Sequence, residues 1–213
     1  MAMVFEKYSK INAFILAGGK SSRIDTDKAF LKYRGKYFID IIIESISTLF
    51  EKVYLIGKDY KNNLLAGSYS DEIEGVGPLG GIYTALKKTD KQINFLTGAD
   101  YPFIDPEIIA YLIKIIEENS QNYHALVPLM PDGPHPLCAF YTRACLPSII
   151  KCLNEGNNRV LCIAKYTPLL YYDMIEACRV FSLERLRRNF ININSNEDYL
   201  RYVAEGEERA GEF

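Results

Sequence analysis

The chain is poor in histidine, in net charge and in long apolar runs. Its 213 residues include only two histidines, His124 and His135, which excludes a histidine-rich metal centre. The formal net charge is −2. That argues against nonspecific nucleic-acid binding, which needs a basic surface. No apolar run reaches the roughly 18 residues of a membrane span. The segment Met1 to Lys10 carries Glu6 and two lysines and no apolar signal core. The five cysteines, Cys138, Cys145, Cys152, Cys162 and Cys178, form no C-x-x-C pair, and one is left over in any disulfide scheme. They read as buried thiols, and the expected compartment is the reducing cytoplasm. Internal repeats and low-complexity segments are absent. So are the two common glycine loops, G-x-x-x-x-G-K-[ST] and G-x-G-x-x-G.

What is present is an ordinary globular composition, 48 % hydrophobic and 24 % charged. The length suits one domain, expected over residues 1–203. A polar tail, 204–213, is expected to fray. Between them strand-like and helix-like patterns alternate, which predicts an α/β fold with a mostly parallel sheet. Strands are expected at Ile11–Leu16, Val53–Ile56, Ile93–Leu96, Ala125–Met130, Pro136–Tyr141, Leu169–Tyr172 and Phe190–Asn194. The turn Pro131-Asp132-Gly133-Pro134 predicts a hairpin. Helical spacing runs from Phe38 to Leu49, Ile82 to Lys88, Arg143 to Leu153 and Asn158 to Lys165. Asp105-Pro106-Glu107 reads as a cap, a first-turn proline and a well-placed acid for the helix carrying Ile108, Ile109, Leu112, Ile113 and Ile116. Ser195, with Asp198 three residues on, caps a last helix.

The most informative stretch follows the first strand: Leu16-Ala17-Gly18-Gly19-Lys20-Ser21-Ser22-Arg23, then Asp27-Lys28. Paired glycines let backbone N–H groups approach a ligand. Lys20, Arg23 and Lys28 place positive charge where phosphate oxygens would sit. In a parallel sheet ligands bind outside the carboxyl ends of the strands. Asp100 stands there too, after the third strand, where it either caps a turn before Pro102 or holds Mg²⁺ among phosphate oxygens. Asn192 and Asn194 alternate with isoleucines, which puts both amides on one face of a strand. They fit a polar ligand or a metal's outer shell, or simply a solvated edge. His135, between two prolines, is either a loop residue or part of a site. Arg159 opens a helix and could hold an anion there, or serve as a solvated cap. Lys151, Lys165 and Arg185 to Arg188 read as ordinary charged faces.

These segments together resemble the MobA family, the guanylyltransferases of molybdenum cofactor synthesis. Leu16-Ala17-Gly18-Gly19, Arg23 and Asp27-Lys28 resemble its first signature. Gly77-Pro78-Leu79-Gly80-Gly81, Asp100-Tyr101-Pro102-Phe103, His135-Pro136 and Phe190 to Ser195 resemble four more, in family order, from about residue 11 to 203. One departure is Ile24-Asp25, where the family usually has Met-Gly. The resemblance implies a Rossmann-like nucleotidyltransferase fold with a small hairpin and helical lobe for the acceptor. It implies transfer of GMP from GTP to the terminal phosphate of molybdopterin, with Mg²⁺ as cofactor and pyrophosphate released. Leu16 to Lys20 and Asp71 would bind GTP, Asp71 reading guanine. Lys28 would sit by the α-phosphate, Asp100 would hold the metal, and Lys20 and Arg23 would steady the leaving pyrophosphate. His135, Arg159, Asn192 and Asn194 would line the pterin side. Transient contacts with other cofactor-synthesis proteins and apo-molybdoenzymes are implied, and none with nucleic acid or membrane.

Rival readings are a cytidylyltransferase for the same pterin, disfavoured by Gly18; a sugar-phosphate enzyme, disfavoured by Ser22-Arg23; a cobalamin-pathway guanylyltransferase, separated by the His135-Pro136 and Asn192/Asn194 segments; and a nucleotide-binding module without catalysis, disfavoured by the intact charged loop.

Overall fold

Strand β1 (Ile11–Leu16) is buried along its whole length. Its side chains alternate between two cores, Ala13 and Ile15 on one side and Phe14 and Leu16 on the other. Only a strand covered on both faces can be buried at every position in this way, so β1 sets the plan of the molecule: a central sheet between two helical layers. The computed structural model describes residues 7–18 and 28–204. The expected tail therefore lies, beyond Ala204, outside the described residues.

After β1 come the short hairpin strands β2 (Lys32–Tyr33) and β3 (Lys36–Tyr37), helix α1 (Phe38–Ser47), β4 (Val53–Ile56), β5 (Gly67–Tyr69), α2 (Pro78–Lys88), β6 (Ile93–Gly98), α3 (Pro106–Asn119), β7 (Ala125–Met130), β8 (Gly133–Pro134), β9 (Cys138–Thr142), α4 (Leu146–Asn154), β10 (Leu169–Asp173), α5 (Leu183–Asn189) and α6 (Asn196–Tyr199). The main sheet runs β10-β7-β9-β6-β1-β4-β5, with β8 paired to β7. β1 is parallel to β4 and β6, β4 to β5, and β7 to β10. Strand β9 is antiparallel to both neighbours. The predicted hairpin closes through β8 and then threads β9 into the sheet beside β6.

The α1 stripe Phe38, Ile39, Ile42, Ile43 and Ile46 is wholly buried. Most of it joins α3 over one face of the sheet. Helices α2 and α4 cover the other through Leu79, Ile82, Leu86 and Ile149. The cap reading of α3 holds, with Asp105 accepting from the Glu107 N–H at 2.9 Å. Ser195 and Asp198 form the expected reciprocal capping box on α6. No helix among the described residues is long and apolar enough to cross a membrane.

Four readings differ. Residues 190–194 are not a strand. Phe190 ends α5, its N–H donating to the Arg187 carbonyl and the Ile191 N–H to that of Arg188, both at 3.2 Å, and the segment docks through the Ile193 N–H, which donates to the Asp100 C=O at 2.9 Å. The helical stretch expected over 158–165 is a 3-10 helix over Val160–Lys165, with Arg159 as its cap. The cysteines are not all buried thiols: Cys152 and Cys162 form a disulfide tying α4 to that turn, and free Cys178 is exposed. Arg185 is no ordinary charged face. It forks onto Asp105 at 2.5 and 2.9 Å and reaches Glu107 at 2.6 Å, joining α5 to the start of α3.

Candidate active site

The chain moves from β1 to one side for β4 and returns to the other side for β6, so the sheet changes direction at β1. Strand carboxyl ends diverge at such a point and leave a crevice. A cleft of about 1010 Å³ opens there, larger than most single-ligand pockets. Its floor is tied by backbone bonds between strand ends: Ala17 N–H to Ile56 C=O, 2.9 Å, and Ala99 N–H to Leu16 C=O, 3.0 Å.

One end of the cleft is made by backbone. Gly18 and Gly57 cross so closely that a Cβ on Gly57 would lie 2.5 Å from the Gly18 Cα. Gly57 also holds φ at +90°, a conformation that L side chains resist. Asp71 closes this end. A Cβ on Gly18 would stand 2.6 Å from its Oδ2. Its Oδ1 is buried with no hydrogen-bond partner among the described residues. Burial, and to a lesser degree the negative charge of Glu74, raise its carboxyl pKa. A half-buried carboxylate with spare acceptor capacity over a glycine surface is suited to a flat ring bearing adjacent N–H donors.

The other end is made by side chains. Gly98, ending β6, allows Asp100 to fold back, since a Cβ there would lie 2.2 Å from the Asp100 Oδ1. That oxygen too is buried without a hydrogen-bond partner among the described residues. Its mate Oδ2 lies 3.5 Å from the Lys28 ammonium. Desolvation raises the Asp100 pKa and Lys28 draws it back only in part. Lys28 also donates to the Asn194 Oδ1 at 2.5 Å, so the loop after β1 and the segment after α5 meet over Asp100.

Of the residues singled out in the sequence, Leu16, Ala17, Gly18, Lys28, Asp71, Asp100, Asn192 and Asn194 line this one cleft. Gly19, Lys20 and Arg23 lie outside the described residues, as does Asp25. His135 is not a lining residue. It is 8 % exposed and sits one layer behind, its ring 4.9 Å from that of Phe190. Burial lowers its pKa, opposed by Asp132. Arg159 is exposed at the head of the 160–165 turn and is not among the lining residues. The two asparagines share the cleft, but through an irregular segment rather than strand alternation. Sequence reasoning missed Gly57, Glu74 and Leu137 as lining residues. Only Gly57 left a signal, a glycine directly after a strand. The contact that makes it matter is a tertiary one.

No group of three or more His, Cys, Asp or Glu among the described residues could cage a metal. At the side-chain-built end of the cleft Asp100 offers a buried carboxylate oxygen that has no hydrogen-bond partner among the described residues. That fits a hard cation which takes one or two carboxylates and fills its remaining positions with phosphate and water.

Comparison with known proteins agrees with this architecture. Residues 13–167 match the MobA-like NTP transferase domain. A Clostridium perfringens protein named "Probable molybdenum cofactor guanylyltransferase" is 33 % identical over 195 residues, covering 89 % of this chain and 94 % of the relative. The "Molybdenum cofactor guanylyltransferase" of Syntrophotalea carbinolica is 31 % identical over 198 residues, covering 92 % and 91 %. The crystal structure of molybdopterin-guanine dinucleotide biosynthesis protein A from Archaeoglobus fulgidus superposes with a TM-score of 0.77 at 26 % identity, covering 92 % of this chain and 99 % of that one. With its domain matched over more than half its length and its relatives matched almost end to end, this chain belongs to the MobA-like NTP transferase family.

Proposed function

We propose that this chain is a magnesium-dependent guanylyltransferase that joins GMP from GTP to the terminal phosphate of molybdopterin and releases pyrophosphate. The observation that carries the reading is the pair of buried carboxylate oxygens, on Asp71 and Asp100, without a hydrogen-bond partner among the described residues, at two ends of one cleft. One suits the N1–H and amino donors of guanine. The other suits a cation at the reacting phosphate.

The chemistry asks little covalent work of the protein. A phosphate oxygen of the acceptor attacks the α-phosphorus of GTP, the bond to the bridging α–β oxygen breaks, and pyrophosphate leaves. Positioning and charge neutralisation dominate such transfers. The nucleophile is already anionic, so no general base is needed, and a site without catalytic histidine or cysteine suffices. Magnesium bound at Asp100 supplies charge neutralisation between the α-phosphate and the incoming phosphate. Lys28, fixed by Asp100 and Asn194, adds positive charge to the α-phosphate. Lys20 and Arg23 steady the departing pyrophosphate. Leu16 to Gly19 carry the nucleotide on backbone. Asn192 and Asn194 face the acceptor, with His135 and Arg159 assigned to that side by family position. Other cofactor-synthesis proteins and apo-molybdoenzymes are the expected transient partners, and the cytoplasm the expected setting.

The test is pyrophosphate release from GTP and Mg²⁺, with and without molybdopterin, and with CTP as the control. Release that needs both GTP and molybdopterin is expected. Release with CTP instead would overturn the base assignment, and GTP binding without release would leave a binding module. Asp100→Ala is expected to stay folded and lose at least about 100-fold in kcat. Normal turnover by that variant would sink the metal assignment.

A further inference from the structure

The loop that carries Asp71 lies along one stripe of α2. Gly80 and Gly81, Thr84, then Lys87 and Lys88 recur at helical spacing and so share a face of that helix. Each meets the loop. A Cβ on Gly80 would stand 2.6 Å from the Val76 Cγ2 and 2.9 Å from the Ile73 carbonyl oxygen, and one on Gly81 would stand 3.7 Å from the Asp71 Oδ1. The two lysines grip the Glu72 carboxylate, Lys88 at 2.8 Å on Oε1 and Lys87 on Oε2. Between these contacts sits Thr84, fully buried. Its hydroxyl donates to the Gly80 C=O at 3.0 Å, and a hydroxyl has one proton. It therefore meets the Glu72 N–H, also 3.0 Å away, as an acceptor. That N–H belongs to the peptide joining Asp71 to Glu72, and a peptide is planar from one Cα to the next. One bond from the helix thus fixes the plane in which the Asp71 Cα lies.

We propose that Thr84 is a positioning residue for base recognition: its hydroxyl, backed by the Glu72 bridge to Lys87 and Lys88, holds Asp71 on α2 with its carboxylate over Gly18 and Gly57. The inference rests on the reading of Asp71 given above. It assigns Thr84 no contact with the nucleotide, in keeping with its absence from the residues that line the cleft. The buried Asp71 Oδ1 has no hydrogen-bond partner among the described residues, so that oxygen is aimed by the backbone that carries it. Recognition of paired donors needs the acceptor held to within about 0.5 Å, and hydrogen bonds behind the contacting group supply that precision.

The test measures GTP and ITP binding by calorimetry at one Mg²⁺ concentration. ITP lacks the amino group of guanine, so a preference for GTP reports an aimed carboxylate, and the unsubstituted protein is expected to prefer GTP about 10-fold. Thr84→Val keeps the shape of the side chain and removes the hydroxyl. It is expected to weaken GTP binding about 10-fold and to bring the preference within about 3-fold. Thr84→Ser, which keeps the hydroxyl, should restore both. In an Asp71→Ala background there is no carboxylate to aim, so adding Thr84→Val should change GTP affinity by no more than about 2-fold. Thermal melting checks that each variant is folded, and should Thr84→Val fail to fold, Glu72→Ala carries the same cycle with an expected loss of about 3-fold. Equal losses in both backgrounds, or a GTP preference left intact by Thr84→Val, would overturn the positioning role. Equal GTP affinity in the unsubstituted protein and Asp71→Ala would instead bring down the base assignment itself. Loss in Asp71→Ala with no effect of Thr84→Val would leave that assignment standing and remove only this inference.

Discussion

The two ends of the cleft are built on different principles. The Asp71 end is backbone crossing backbone: Gly18 over Gly57, on parallel strands held by regular hydrogen bonds. The Asp100 end is side chains meeting across long stretches of sequence. Lys28 reaches Asn194, Ile193 ties to Asp100, and Tyr101 leans on His135. The first end tolerates almost no added atom. The second tolerates substitution but depends on polarity, on which group donates and which accepts. Damage at the first should therefore appear as lost stability and lost nucleotide binding together. At the second, function should move while the fold remains.

Gly57→Ala should break the first end most severely. A methyl there meets the Gly18 Cα at 2.5 Å and sits on a backbone at φ +90°. Strain and clash together are expected to cost about 3 kcal/mol, visible as a large fall in Tm and loss of GTP binding by calorimetry. An alanine variant of ordinary stability would mean that the crossing is loose, and the contrast between the two ends would dissolve.

Asp71→Asn separates recognition from scaffold within the same end. The fold should hold, and GTP should bind about 10- to 100-fold more weakly, the loss of a hydrogen bond to a charged acceptor. The asparagine NH₂ can donate to a carbonyl, so XTP, with oxygen where guanine has its amino group, should gain. A thermal-shift series with GTP, XTP, CTP and ATP reads both effects. Unchanged preference among the four would detach Asp71 from the base.

The Asp100 end should show the opposite sign in stability. Burial raises this carboxyl above its ordinary range, and Lys28 offsets only part of the rise. The unfolded chain therefore ionises first as pH increases. Ionised Asp100 opposes folding above its folded pKa, and the penalty disappears below the unfolded value of about 3.9. Asp100→Asn should raise Tm by about 2–4 °C at neutral pH without metal, with the gain fading as pH falls through the raised folded pKa and gone below about 4. A variant that is less stable at neutral pH would show that the Lys28 contact outweighs desolvation.

This division also explains what the sequence made legible. β1, β4 and β7 were readable to the residue because a largely apolar run in an α/β pattern has few alternatives. Asp100 and Gly18 were readable because strand ends are where such folds bind ligands. The conformation of 190–194 was not: Ile-Asn-Ile-Asn has a strand's period, and only the dock onto Asp100 makes it irregular. β5 was missed because Gly67-Ser68-Tyr69 carries no apolar alternation, and parallel pairing to β4 supplies the order. The role of Arg185 was hidden for the same reason. Its carboxylate partners belong to another helix, and a run of charges looks alike whether solvated or forked onto Asp105.

Ser195→Ala is the mildest way to sharpen the comparison, because it touches the side-chain end only through its support. The Ser195 hydroxyl accepts from the Asp198 N–H at 3.1 Å, and the Asp198 carboxylate accepts from both Asn194 and Ser195 N–H groups at 2.9 Å. The capping box thus holds the backbone of the residue that steadies Lys28. Removing the hydroxyl should lower stability by about 1 kcal/mol, as for other lost caps. Asn194 would then be less firmly held against Lys28, while Gly18, Gly57 and Asp71 keep every contact. Steady-state kinetics should show a small rise in KM for the acceptor at unchanged GTP affinity. An equal weakening of GTP binding would mean that the two ends of the cleft are mechanically coupled, and that the distinction between a backbone-built end and a side-chain-built end does not extend to function.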